Sequence, residues 1–173
     1  MTNQNKTSFN LTLAGMCLAI SIVMPTVFHF AGPQGGKMFL PLFWGVAMAA
    51  LLLPVKYAVM VAVFAPVLSH LISAMPPIPM LYFMLAELFV YACMISVLKN
   101  KLPALVVILA GLIVSRISYI AIVSLSAMFL SLPPAFAGFT VLLGGVLISL
   151  PGIIAQAIII PTILHIYRRY SRI

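Results

Sequence analysis

From Phe9 to Phe28, from Ile78 to Leu98, from Ala104 to about Leu130 and from about Phe139 to His165, the chain carries only two charged residues, Glu87 and Arg116. A hydrocarbon core of about 30 Å is crossed by about 20 apolar residues in a helix. Within lipid, only helices and closed barrels satisfy their own backbone. Runs this long with no charged face do not coat a water-soluble domain. Composition agrees, at 65% hydrophobic, 6% charged and a mean hydropathy of +1.28. The sequence therefore predicts an all-α integral membrane protein, with residues 1–173 forming a single membrane domain and no room for a soluble one.

Two shorter runs complete a set of six transmembrane helices. The second helix, Phe39–Leu53, is marginal for a full crossing and carries Trp44, the sole tryptophan, which is expected near a membrane interface. Pro54 and Lys56 mark a tight turn, and the third helix follows from Tyr57 to about Ile72 with a kink expected at Pro66. These two segments form either separate helices or one shallow re-entrant hairpin. In the sixth helix, Gly144, Gly145 and Gly152 are expected to allow close packing and Pro151 to kink the run. Lys6 ahead of the first run is reminiscent of a signal peptide, but no small-residue cleavage site follows, so this run reads as a retained helix. Cys17 and Cys93 each fall inside an apolar segment without metal-binding or CxxC spacing and read as small core residues.

The formal net charge of +8 does not point to nucleic acid, because the bases are scattered between apolar runs. Six crossings place Lys6, Lys56, Lys99, Lys101, Arg168, Arg169 and Arg172 on one side and only Lys37 on the other. The positive-inside rule then makes both termini cytoplasmic. The loop HFAGPQGGK (29–37) and the proline-rich loops SAMPPIPM and SLPPAFAG face outward. The first of these loops combines three glycines with His29, Gln34 and Lys37, which suits either a ligand-contacting cap or a plain connection.

Glu87 is the only carboxylate side chain in the sequence, and Arg116 the only base at similar depth. Ionisable groups inside a membrane are costly and by default mark function. On the fourth helix, Met80, Phe83, Met84, Glu87 and Tyr91 share one face; on the fifth, Arg116, Tyr119 and Val123 do. Measured from Pro79 and Leu130, Glu87 lies about 12 Å and Arg116 about 21 Å below the outer ends, so Arg116 is expected deeper. The two side chains either form a salt bridge with each other or leave room for a polar ligand between them. Tyr91 and Tyr119 supply aromatic faces with hydroxyls, and Met80, Phe83 and Met84 apolar walls. That mixture suits a flat heterocycle held by a few polar contacts. Gln156 either reaches this cavity or bonds a neighbouring helix. No phosphate-binding loop, HExxH, CxxC or second carboxylate is present, so neither enzyme chemistry nor a metal or other cofactor is expected. A self-sufficient proton-coupled carrier using Glu87 remains an alternative.

Taken together, the six helices, the small pair Gly15/Ala19 in the first helix, GPQGG followed by FLPLFWG, SAMPPIPM before AELFVY, and SRISY resemble the substrate-binding subunit (S component) of energy-coupling factor vitamin transporters. The resemblance covers nearly the whole chain. It implies a protein of the bacterial cytoplasmic membrane that captures a vitamin or vitamin precursor from outside. Its partners would be a transmembrane coupling protein and two ATPases. Mapped onto this sequence, the ligand would meet His29, Gln34, Met80, Glu87, Tyr91, Arg116, Tyr119 and Gln156. The docking face for the coupling protein would be Gly15/Ala19, or Ala14/Leu18 in a shifted register.

Overall fold

The computed structural model describes residues 3–30, 35–129 and 139–170. Among these residues every regular element is a helix, in the order α1 (Asn3–Phe30), α2 (Gly35–Phe39), α3 (Pro41–Leu52), α4 (Val55–Ser73), α5 (Met80–Leu98), α6 (Ala104–Phe129), α7 (Phe139–Ile148) and α8 (Leu150–Tyr170). Five helices are long and apolar enough to cross a membrane: α1, α4, α5, α6 and α8. The architecture fits a multi-pass α-helical membrane protein.

The short helix α3 is the centre of the bundle. Pro41 to Ala47 and Ala49 to Leu51 are all buried, so this helix has no outer face. A helix apolar on every side belongs in a core. At 12 residues it spans about 18 Å, well short of a hydrocarbon core. Helices α1, α4, α5 and α8 pack around it, and their inward residues join its own in one hydrophobic core. The short helix expected here is thus enclosed by its neighbours. Helix α4, at 19 residues, is long and apolar enough to cross a membrane.

The expected helix Phe39–Leu53 is broken at its start. Leu40 takes a left-handed backbone with φ 49°, which lets Pro41 begin α3 in the position where a missing N–H costs nothing. Trp44 is 7% exposed, and its indole N–H donates to the Phe39 carbonyl across the break at 3.0 Å. The polar edge of Trp44 is thus satisfied inside the protein. At the other end of α3, Lys99 Nζ donates to the carbonyls of Ala50, at 2.9 Å, and Leu53. The last carbonyls of a helix lack partners within it, and a cation there also suits the helix dipole. Partial burial pulls the Lys99 ammonium below the ordinary lysine range.

Close approach between α1 and α3 occurs at Gly45, where a Cβ would overlap the Cys17 carbonyl and the Ser21 hydroxyl. The inward stripe of α1 is Ala14, Cys17, Ser21 and Pro25, and the Ser21 hydroxyl bonds the Cys17 carbonyl of its own helix at 3.2 Å. Gly15 and Ala19 point the other way and are exposed, with nothing within 4 Å of a Cβ at Gly15. A second tight crossing is at Gly111, where a Cβ would come within 3.1 Å of Tyr91 and Ile95, so α5 and α6 lie close together.

The expected sixth helix is interrupted at Ser149, two residues before Pro151, and continues as α8 to Tyr170. Proline has no N–H to give and crowds the preceding turn. Ser149 caps the break by donating from its hydroxyl to the Val146 carbonyl at 2.8 Å. Of the three glycines expected to pack closely here, Gly152 does, where a Cβ would come within 2.5 Å of the Met38 carbonyl, whereas a Cβ at Gly144 or Gly145 would meet nothing within 4 Å among the described residues. Both cysteines are free, Cys17 buried and Cys93 half-buried.

Candidate functional site

Glu87 and Arg116 meet directly, with Arg116 Nη1 3.1 Å from Glu87 Oε1. The expectation that Arg116 lies deeper is wrong, and the reason is the choice of origin. Counted from the turn that joins α5 to α6, Glu87 is 11 residues before Leu98 and Arg116 is 12 after Ala104, about 17 Å along each axis. Helix α6 overshoots at its far end, where Met128 and Phe129 are about four-fifths exposed. Measuring from there exaggerated the depth.

The pair sits among rings. The Arg116 guanidinium lies over the Phe43 ring, 5.5 Å from its centroid, a favourable contact between cation and π-face. Phe43 in turn packs against Tyr91 at 5.1 Å, and the Tyr91 hydroxyl donates to Gln156 Oε1 at 3.5 Å. Tyr119, on the same face of α6 as Arg116, stands edge-on to Phe83 at 6.4 Å and within electrostatic range of both charges. Phe83 and Val123 form a small apolar cluster beside it. Three long helices, α5, α6 and α8, and the core helix α3 thus converge on one polar point.

Polar satisfaction at that point is incomplete. Glu87, Tyr91 and Gln156 are all essentially inaccessible. Yet, among the described residues, Arg116 Nε and Nη2 and Gln156 Nε2 are buried without a hydrogen-bond partner, and Glu87 Oε1 meets Nη1 as an ion pair outside hydrogen-bond geometry. Buried polar groups in native proteins nearly always find partners, and each exception calls for a physical explanation, a bound ligand or water among them.

Of the residues singled out in the sequence, the structure brings together Glu87, Tyr91, Arg116, Tyr119 and Gln156. Met80 opens α5 seven residues before Glu87, half-buried and about 10 Å away along the axis. It is not among the polar groups. His29 falls in the last turn of α1, with its side chain outside the described residues, and Gln34 lies outside them altogether, as do the rest of 31–34 in the glycine loop and the whole SLPPAFAG turn. Phe43 was missed. No periodic signal marks it, because every face of α3 is apolar; only the fold shows that Arg116 lies against it. Among the described residues, no group of three or more His, Cys, Asp or Glu side chains is placed to hold a metal.

Comparison with protein-family models, with curated proteins and with solved structures gives no match for this chain.

Proposed function

We propose that the chain is the substrate-binding subunit of an energy-coupling factor importer of the bacterial cytoplasmic membrane, with both termini cytoplasmic. In this reading it captures a vitamin or vitamin precursor from outside and hands it to a transmembrane coupling protein driven by two ATPases. The observation that carries the reading is the buried polar cluster of Glu87, Arg116 and Gln156, which keeps free donors at the meeting point of α3, α5, α6 and α8. A ligand site is the economical account of polar atoms held unpaired in so apolar a chain. Support also comes from α1, whose Gly15/Ala19 face is left uncovered while the Ala14 side packs inward. A partner helix has room to approach closely there. A proton-coupled carrier needs an available carboxylate, and the only one in the chain is engaged by Arg116.

The test is purification in mild detergent from the native membrane. The protein is expected to bring down a coupling protein and two ATPases, and native mass spectrometry to find a small molecule retained on it. Gly15→Leu is expected to abolish uptake in cells while the isolated protein still binds its ligand. Uptake into liposomes by this chain alone would replace the reading with that of a self-sufficient carrier.

A further inference from the structure

The unpaired atoms at the site form a pattern. Arg116 commits Nη1 to Glu87, and its remaining buried donors are Nε and Nη2. In a guanidinium those two N–H bonds run side by side along one edge, spaced to meet two neighbouring acceptors in the same plane. Gln156 adds a third buried donor, Nε2, its Oε1 being taken by Tyr91. The site is thus rich in donors, and the rings of Phe43 and Tyr91 pack beside them.

Charge decides which acceptors fit. Glu87 and Arg116 already neutralise one another within the bundle. A ligand carboxylate would satisfy the guanidinium edge but add an uncompensated negative charge beside Glu87 in a low-dielectric interior. An ammonium group would leave the donors unmet. A carbonyl oxygen next to an unprotonated ring nitrogen supplies two coplanar acceptors without charge, which is how an arginine edge reads the O6/N7 side of guanine.

We propose, building on the binding-subunit reading, that this site takes a neutral planar heterocycle presenting a carbonyl oxygen and an adjacent acceptor ring nitrogen to Arg116 Nε and Nη2. The ring lies beside Phe43 and Tyr91, and Gln156 Nε2 donates to a further acceptor on it. Arg116 acts here as the specificity-determining residue.

Three commercially available probes separate the classes: hypoxanthine, with a carbonyl beside an acceptor nitrogen; adenine, with an amino group in the carbonyl's place; and nicotinate, a planar carboxylate. Equilibrium dialysis on the full chain in lipid nanodiscs is expected to show hypoxanthine bound about ten- to a hundredfold more tightly than adenine, the discrimination of one bidentate pair. Nicotinate is expected to bind no better than adenine. Arg116→Lys keeps a cation beside Glu87 but lacks the paired edge. It is expected to lose hypoxanthine binding by a similar factor with its melting temperature little changed. The wild-type ranking needs no variant and stands as a test even if Arg116→Lys fails to fold. Tighter binding of nicotinate, equal binding of hypoxanthine and adenine, or no binding of hypoxanthine overturns the inference. Those outcomes, with the coupling protein and ATPases still copurifying, overturn the ligand class alone and leave the transport reading in place.

Discussion

Cutting one side of the Glu87–Arg116 pair is the most informative perturbation of this fold. At 3.1 Å the two charges attract by on the order of 5 kcal/mol at an effective dielectric of about 20. Desolvation offsets most of that gain, since the Glu87 and Arg116 side chains are only 2% and 15% exposed. The net worth of the pair is therefore small, but the cost of orphaning one member is large. Glu87→Gln leaves the Arg116 cation with no carboxylate in the described bundle, and a loss of about 3–5 kcal/mol is expected. Arg116→Met leaves the Glu87 anion in the same position, with a similar loss. The double variant removes both charges and keeps the volume, so most of the stability is expected to return, with a coupling energy of about 3 kcal/mol. Unfolding titrations of the four proteins in sodium dodecyl sulfate measure this, read by the fluorescence of Trp44, the sole tryptophan. Ligand binding is expected to stay lost in the double variant, because the Arg116 donors are gone. Single losses below about 1 kcal/mol, or losses that simply add in the double variant, would refute the account of a buried, mutually compensating pair. A double variant that is stable and binds fully would refute the ligand site.

Gly45→Val places a branched side chain against the Cys17 carbonyl and Ser21. Forcing α1 and α3 apart is expected to cost about 1–3 kcal/mol or to prevent folding, read by detergent melting, whereas Gly15→Leu on the open face of α1 is expected to melt within a degree or two of the parent. Lys99→Met removes the donor to Ala50 and Leu53 at the end of α3. A loss of about 1.5–3 kcal/mol is expected, as for a hydrogen bond to a charged group, and an unchanged melting curve would show that water caps α3 equally well.

Much of the outline was legible in the sequence, because the constraint that sets it is local. Lipid demands long apolar helices whatever their neighbours, so the runs ending at Leu98 and Phe129 were bounded to within a residue or two. Rarity did the same for the site: a lone carboxylate and a lone deep arginine, on the faces shared with Tyr91 and Tyr119, had few other places to go. What the sequence left open needed neighbours to decide. Pro41–Leu52 has the composition of a short span, and only its enclosure by α1, α4, α5 and α8 makes it the core. Of the glycines and alanines that permit close approach, Gly45, Gly111 and Gly152 are used and Gly15 is not. Helical period alone does not say which face of α1 turns inward. The depth of Arg116, the placement of Phe43 beneath it and the pairing of Tyr91 with Gln156 across 65 residues depend on how helices stack. The sequence by itself thus determined that the chain is a set of long apolar helices with one carboxylate and one arginine in their midst. The tertiary structure alone decided which helix lies inside and which donors are left unpaired, because burial and hydrogen-bond satisfaction belong to several segments at once.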